Sequence, residues 1–314
     1  MVRLARIAVL VLVLAVTACA SDPPASRDRD TGGAGDDAAD TTGETGGEAG
    51  DTGSAPDADG AEAGPAADTG DTGADTAADT AADGDDGPSR CQTDGERLTC
   101  EFRTEDLRPL YTTRQVHWQV PLGEPPADGW PVALLFQGAF SSAQFHWEAD
   151  RGDASGRYHR VRTIQELLDR GFAVLTPEAL AGGTTYWQTN VPPYATAWET
   201  SADHQLMLEI FEAIDDGTFG ELDADELNAA GFSSGGYMTS RMAEAYAGRF
   251  DALAVHSASW AWCSSGACLV PDPEDMPDDH PPTVFLHGGQ DAIVPLRTMH
   301  DYRDALQAAG VATT

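Results

Sequence analysis

Leu227-Asn228-Ala229-Ala230-Gly231-Phe232-Ser233-Ser234-Gly235-Gly236-Tyr237-Met238 is the stretch that decides the fold. Leu227–Ala230 reads as a short, weak strand, and the pattern from about Gly236 to Ala247 reads as a helix. Between them lies G-x-S-x-G, with Ser233 at its centre. A strand that turns sharply into a helix lifts the serine hydroxyl clear of the backbone and sets a helix N-terminus beneath it. Glycines at 231, 235 and 236 permit so tight a bend without side-chain clash. An ordinary Gly/Ser loop is the plain alternative, and the flanking strand and helix argue against it.

Working outward, the second chemical group is Asp291, 58 residues further on in Leu286-His287-Gly288-Gly289-Gln290-Asp291. It follows a short apolar strand, and there a carboxylate can hold an imidazole in one tautomer and stabilise the imidazolium that forms. Asp291 could also simply cap the helix that follows Pro295; paired with Ser233, it favours the catalytic role. A negative charge developing beside Ser233 needs two backbone N–H groups. Ser234 is expected to supply one. The other is expected from the loop Gln137-Gly138-Ala139, with Ala139 first and Phe140 second as donor.

The surrounding segments predict an α/β architecture. Apolar runs at Val132–Phe136, Ala173–Thr176, Leu253–His256 and Thr283–Leu286 read as buried strands, with Leu98–Arg103 and Gln115–Val120 ahead of them. Helical patterns cover about Thr163–Arg170, Ala202–Ile214 and Leu296–Ala309. Strands alternating with helices argue for a mostly parallel sheet covered on both faces. Phe140, Phe145 and Trp147, then Tyr186, Trp187, Tyr194 and Trp198, gather in two loops that suit either an apolar acyl pocket or plain surface packing.

The N-terminus predicts export. Arg3 and Arg6 precede an apolar run from Ile7 to Val16, and Val16-Thr17-Ala18-Cys19 closes it. Ten apolar residues span about 15 Å as a helix, roughly half a bilayer core, so a transmembrane anchor is not expected. The ending resembles a bacterial lipoprotein signal. Residues 1–18 are read as the signal peptide, and Cys19 as a lipidated new N-terminus holding the protein at the outer membrane or cell surface, with plain secretion as the alternative. The four other cysteines fall into close pairs, Cys91 with Cys100 and Cys263 with Cys268. An oxidising compartment makes both local disulfides. A zinc site is disfavoured because neither pair has C-x-x-C spacing.

The net charge is −34, and there is no lysine. Residues 22–90 carry 19 acidic and 3 basic residues, a balance of −16. Such a chain repels nucleic acid, which sets that class of partner aside. Residues 19–90 are mostly Asp, Thr, Gly, Ala and Pro with no aromatic residue, too little apolar surface to offset ordering entropy. They read as a disordered tether. The Asp-Thr-Gly repeats at Asp30, Asp51, Asp68 and Asp71 lack the apolar strands an aspartic-protease site needs, and no calcium-loop spacing is present. Residues 91–314 read as one catalytic domain.

Four segments carry a resemblance: Gly231 to Met242, Val255-His256-Ser257-Ala258-Ser259-Trp260, Cys263 to Cys268, and His280 to Gly288. Over roughly residues 130–314 they resemble the extracellular polyhydroxyalkanoate depolymerases of the medium-chain-length type, and more loosely carbohydrate esterases. The resemblance implies an α/β-hydrolase fold, a serine esterase acting on aliphatic polyester, and no metal or organic cofactor. It assigns Ser233 as nucleophile, Asp291 as triad acid, and Cys263–Cys268 as a disulfide. In such enzymes the triad histidine follows the acid by a few tens of residues. Here His300 is the sole histidine after Asp291, inside the expected last helix, and His256 and His287 read as structural. The base is therefore expected beyond residue 314, the domain being read as ending before its last strand. Two alternatives stand beside the polyesterase: a carboxylesterase on acylated polysaccharide, and a catalytically dead surface-binding lipoprotein. Oligomeric state is not legible.

Overall fold

A computed structural model describes residues 88–179, 186–261, 263–264 and 267–314. The signal peptide, Cys19 and nearly all of the tether lie outside the described residues. The first strands are β1 (Cys91–Asp94), β2 (Arg97–Cys100), β3 (Arg103–Leu107), β4 (Arg114–Gln119) and β5 (Trp130–Phe136). Then come β6 (Glu148–Asp150), helix α1 (Arg157–Asp169), β7 (Ala173–Pro177) and α2 (Ala202–Asp215). The second half holds β8 (Leu222–Phe232), α3 (Ser234–Ala245), β9 (Ala252–His256), a two-strand pair β10 (Cys263–Ser264) and β11 (Ala267–Cys268), β12 (Thr283–Leu286) and α4 (Leu296–Ala308).

Seven strands form the main sheet in the order β12-β9-β8-β5-β7-β4-β3. The pairs from β12 through β7 are parallel, and β4 and β3 add an antiparallel edge. Side chains alternate across the central strands as a period of two requires. Val132, Leu134 and Phe136 of β5 join Leu227 and Ala229 of β8 under α2 and α3. Ala133 and Leu135 join Ala230 and Ala254 under α1. Both faces are thus apolar, which is why these strands read as unbroken apolar runs.

The expected single strand Leu98–Arg103 is two strands in two sheets. β2 pairs with β1 and β6, while β3 pairs with β4. Only Leu98 and Cys100 of that run are buried, so nothing holds it flat across Glu101 and Phe102. The Cys91–Cys100 disulfide is formed and staples β1 to β2. Cys263 and Cys268 stand opposite each other in register, but their side chains lie outside the described residues.

β12 is the outermost strand of the sheet. Its outer side is not bare: the Thr283 and Phe285 N–H groups donate to the carbonyls of Ala312 and Thr314, and Thr314 N–H donates back to Thr283. Residues 312–314 satisfy backbone groups that an edge strand would otherwise leave open.

Candidate active site

Ser233 sits at the junction of β8 and α3 with φ 54° and ψ −117°. A non-glycine residue in that region stores strain, and the surroundings over-determine it. A Cβ on Gly231 would stand 2.2 Å from the Gly235 carbonyl oxygen, and one on Gly235 would stand 2.1 Å from that of Phe136. One on Gly236 would meet the Ala258 methyl at 2.5 Å. The helix start is therefore pressed onto the end of β5 and the segment after β9, at distances only glycine allows. Ser233 N–H is fixed by the His256 carbonyl at 2.9 Å, and the Ser233 carbonyl accepts from Tyr237 N–H.

Ser234 is the first residue of α3, where backbone N–H groups lack intrahelical partners. Its hydroxyl accepts the Trp187 backbone N–H at 3.0 Å. The Trp187 indole N–H reaches across to the Gln137 carbonyl, also at 3.0 Å. The Gln137 side chain braces the adjacent loop, donating to the Ser141 carbonyl at 2.6 Å. Gly138 lies against Phe232, where an added Cβ would come within 2.9 Å of the ring. Ala139 follows, half-buried, and then Phe140, fully out in solvent with φ 60°. The structure thus brings Ser233, Ser234 and the Gln137–Ala139 loop together at the ends of β8 and β5.

Glu178, just past β7, fixes the outer part of the same loop. Its carboxylate takes the Ser142 hydroxyl in a short hydrogen bond and lies 3.6 Å from His117. Burial pushes the Glu178 carboxyl up, but bonds from His117, Ser142 and the Ala143 and Gln144 amides outweigh this and hold it below the ordinary range. Beneath it, Arg114 donates to the Glu178 carbonyl and to Asp203 at 2.9 Å, and Asp203 accepts Gln188 N–H at 2.7 Å. This buried pair ties the Trp187 loop to α2.

Asp291 lies in the loop after β12. One carboxylate oxygen accepts the N–H groups of Ile293 and Val294, both at 2.9 Å. Partial burial raises its pKa, but those two amides, the His287 charge and the Ser257 hydroxyl together bring it below the usual value. Its charge is felt at the elbow. Tyr237, one turn past Ser233, has its hydroxyl pushed up to about 12 by burial and then by Asp291.

No imidazole among the described residues bridges Ser233 and Asp291. His287 Nε2 is 3.6 Å from Asp291 but is hydrogen-bonded to the Val294 carbonyl at 2.9 Å. The His256 ring packs edge-on against Phe232, with centroids 4.9 Å apart. His300 is on α4. Sequence reasoning singled out Gln137 only as a loop residue and Trp187 only as one aromatic of a cluster. Their roles as braces, and those of Glu178, Arg114 and Asp203, left no local signal.

A mostly parallel sheet covered on both faces, with a strained serine bend at one strand end and a hydrogen-bonded carboxylate two strands away, is the architecture of the α/β-hydrolase fold. The family model for the dienelactone hydrolase family matches residues 153–314. The chain belongs to that family, and so to the carboxylic-ester hydrolases. A curated relative, poly(3-hydroxyoctanoate) depolymerase of Pseudomonas fluorescens, is 46% identical over 218 residues, spanning 69% of this chain and 76% of that protein. Among solved structures, a putative dienelactone hydrolase from Klebsiella pneumoniae is similar at 18% identity and a TM-score of 0.44, covering 68% of this chain and 82% of that one. Esterase 2 of Thermogutta terrifontis, in its apo form, is similar at 15% identity and a TM-score of 0.47, covering 68% of this chain and 81% of that one.

Proposed function

We propose that this chain hydrolyses aliphatic polyester of the medium-chain polyhydroxyalkanoate class through an acyl-enzyme. The observation that carries the chemistry is the Ser233 bend at φ 54°, closed by three glycines that admit no side chain. The 46% identity to a poly(3-hydroxyoctanoate) depolymerase supports the substrate class.

In this reading Ser233 Oγ bonds to the ester carbonyl carbon while its proton passes to an imidazole oriented by Asp291. The carbonyl oxygen becomes an oxyanion held by the Ser234 and Ala139 amides, each worth about 3–4 kcal/mol of barrier. Collapse breaks the ester C–O bond, and the imidazolium proton leaves with the alcohol. Water then repeats the sequence on the acyl-enzyme and releases the free acid. Among the described residues His287 is bonded to the Val294 carbonyl and His256 packs on Phe232, so neither is assigned as that imidazole. We also assign Cys19 as a lipid anchor outside the cell, with residues 19–90 as its spacer; an acyl label that vanishes in Cys19→Ala tests this.

The test of the activity is release of 3-hydroxyoctanoate from a poly(3-hydroxyoctanoate) film, compared with release of acetate or ferulate from acylated polysaccharide. Ser233→Ala is expected to lower turnover by about 10⁶-fold. Film left untouched while acetate is released would transfer the chain to the polysaccharide esterases. That no imidazole among the described residues bridges Ser233 and Asp291 favours a second reading, a binding protein without turnover, which failure of a fluorophosphonate to label Ser233 would support.

A further inference from the structure

Beside the elbow, lined in part by Gly231 and Phe232, lies an open pocket of about 480 Å³, solvent included. Ser233, Asp291 and Ala139 do not line it. Its walls are aliphatic, chiefly Leu135, Ala254 and Leu286. Its polar end is built from Arg160 of α1, His146 and His256, and no carboxylate lines it.

Arg160 is half-buried, and among the described residues it forms no ion pair. Its guanidinium rests on the face of Phe232, 5.2 Å from the ring centroid, and His256 packs edge-on against the same ring. The carboxylate it feels most is Asp153, which is already committed to Arg157. His146 is 5% exposed, and its Nδ1 is buried without a hydrogen-bond partner. Burial and then the Arg160 charge push this ring down to about 3, so it stays neutral and can donate from one nitrogen. A cation without an ion-pair partner beside an apolar pocket is costly unless a ligand completes it. In a chain of net charge −34, a site with this sign is a local exception.

We propose that this pocket binds the carboxylate end of a medium-chain aliphatic acid, with Arg160 as the cation, His146 as a neutral donor and the aliphatic walls taking the chain. The inference rests on the esterase reading for its biological sense, because such an acid is what cleavage at Ser233 releases. It makes the pocket a product site one residue away from the nucleophile.

The experiment titrates octanoate and octan-1-ol by calorimetry into the Ser233→Ala protein and into versions that also carry Arg160→Met or Arg160→Lys, each checked for folding by its melting temperature. Octanoate is expected to bind at least tenfold more tightly than the alcohol. Arg160→Met abolishes that preference, and Arg160→Lys keeps part of it. Equal binding of acid and alcohol, a preference that survives in Arg160→Met, or no binding of either would each overturn the proposal. Film hydrolysis by the parent protein is scored separately. An octanoate preference without hydrolysis removes the esterase reading alone, and hydrolysis without the preference removes only this site.

Discussion

Asp203→Asn removes one charge from a pair that is almost wholly out of water. Arg114 is 3% exposed and Asp203 0%, and they meet at 2.9 Å. At an effective dielectric of 20 their attraction is about 6 kcal/mol, set against a desolvation penalty of several kcal/mol for each ion. Burial pushes the Asp203 carboxyl up, opposed by Arg114 and the Gln188 amide. The pair is incompletely compensated, since Arg114 Nη1 has no partner. Neutralising Asp203 leaves the guanidinium buried and unpaired while an amide oxygen still accepts Gln188 N–H. The expected loss is about 3–5 kcal/mol, a large fraction of a typical domain stability. Urea unfolding at pH 7.5 measures it, and adding Arg114→Met should recover about 2–3 kcal/mol as coupling. Activity should fall as well, because Gln188 neighbours Trp187, whose N–H holds Ser234. Asp203→Asn within 1 kcal/mol of the parent, or a purely additive double mutant, would refute the reasoning.

Gly235→Ala places a methyl 2.1 Å from one backbone carbonyl oxygen and 2.5 Å from another, so α3 must move off β5. Stability should drop by about 1–3 kcal/mol and turnover of p-nitrophenyl octanoate by about 10²-fold; parent-like turnover would contradict the packing argument. His256 is pushed down from 6.5 to about 4, first by burial and then by Arg160, so the unfolded chain binds the proton more readily. Its contribution is complete above pH 6.5 and is lost as the pH falls toward 4, roughly 3 kcal/mol in all, and His256→Asn should flatten that part of the stability–pH curve. Replacing Cys91 and Cys100 together with serine opens a loop of sequence separation 9 and should lower stability by about 2–3 kcal/mol under oxidising conditions. Under strong reductant the two proteins should melt together.

β5 and β9 were legible because burial on both faces makes nearly every residue in them apolar. Val132–Phe136 and Leu253–His256 were read almost to the residue, and both were found in the sheet. β8 was read too short because its first half, Leu222 to Glu226, carries Asp223, Asp225 and Glu226 and looks like loop. It is held as a strand by β5, where the register slips between Trp130 and Val132. Helix α1 was read six residues late at its start. Its first turn, Arg157 to Arg160, is polar, and its cap is Gly156 with φ 71° rather than a side-chain acceptor.

Local chemistry and period, read from the sequence alone, determined the α/β class, the serine bend with its glycines, the carboxylate candidate and the Cys91–Cys100 staple. Each depends on residues close in the chain or on a repeat of two, so short-range sterics and burial are enough. Only the tertiary structure decided that Arg114 meets Asp203 across 89 residues, that Trp187 braces Ser234 across 47, and that Arg160 faces a pocket without a carboxylate. Those contacts join segments whose separation in the chain carries no trace of their nearness. They exist because packing both faces of one sheet brings distant segments together, and a polar group buried there is satisfied by whichever partner that packing supplies.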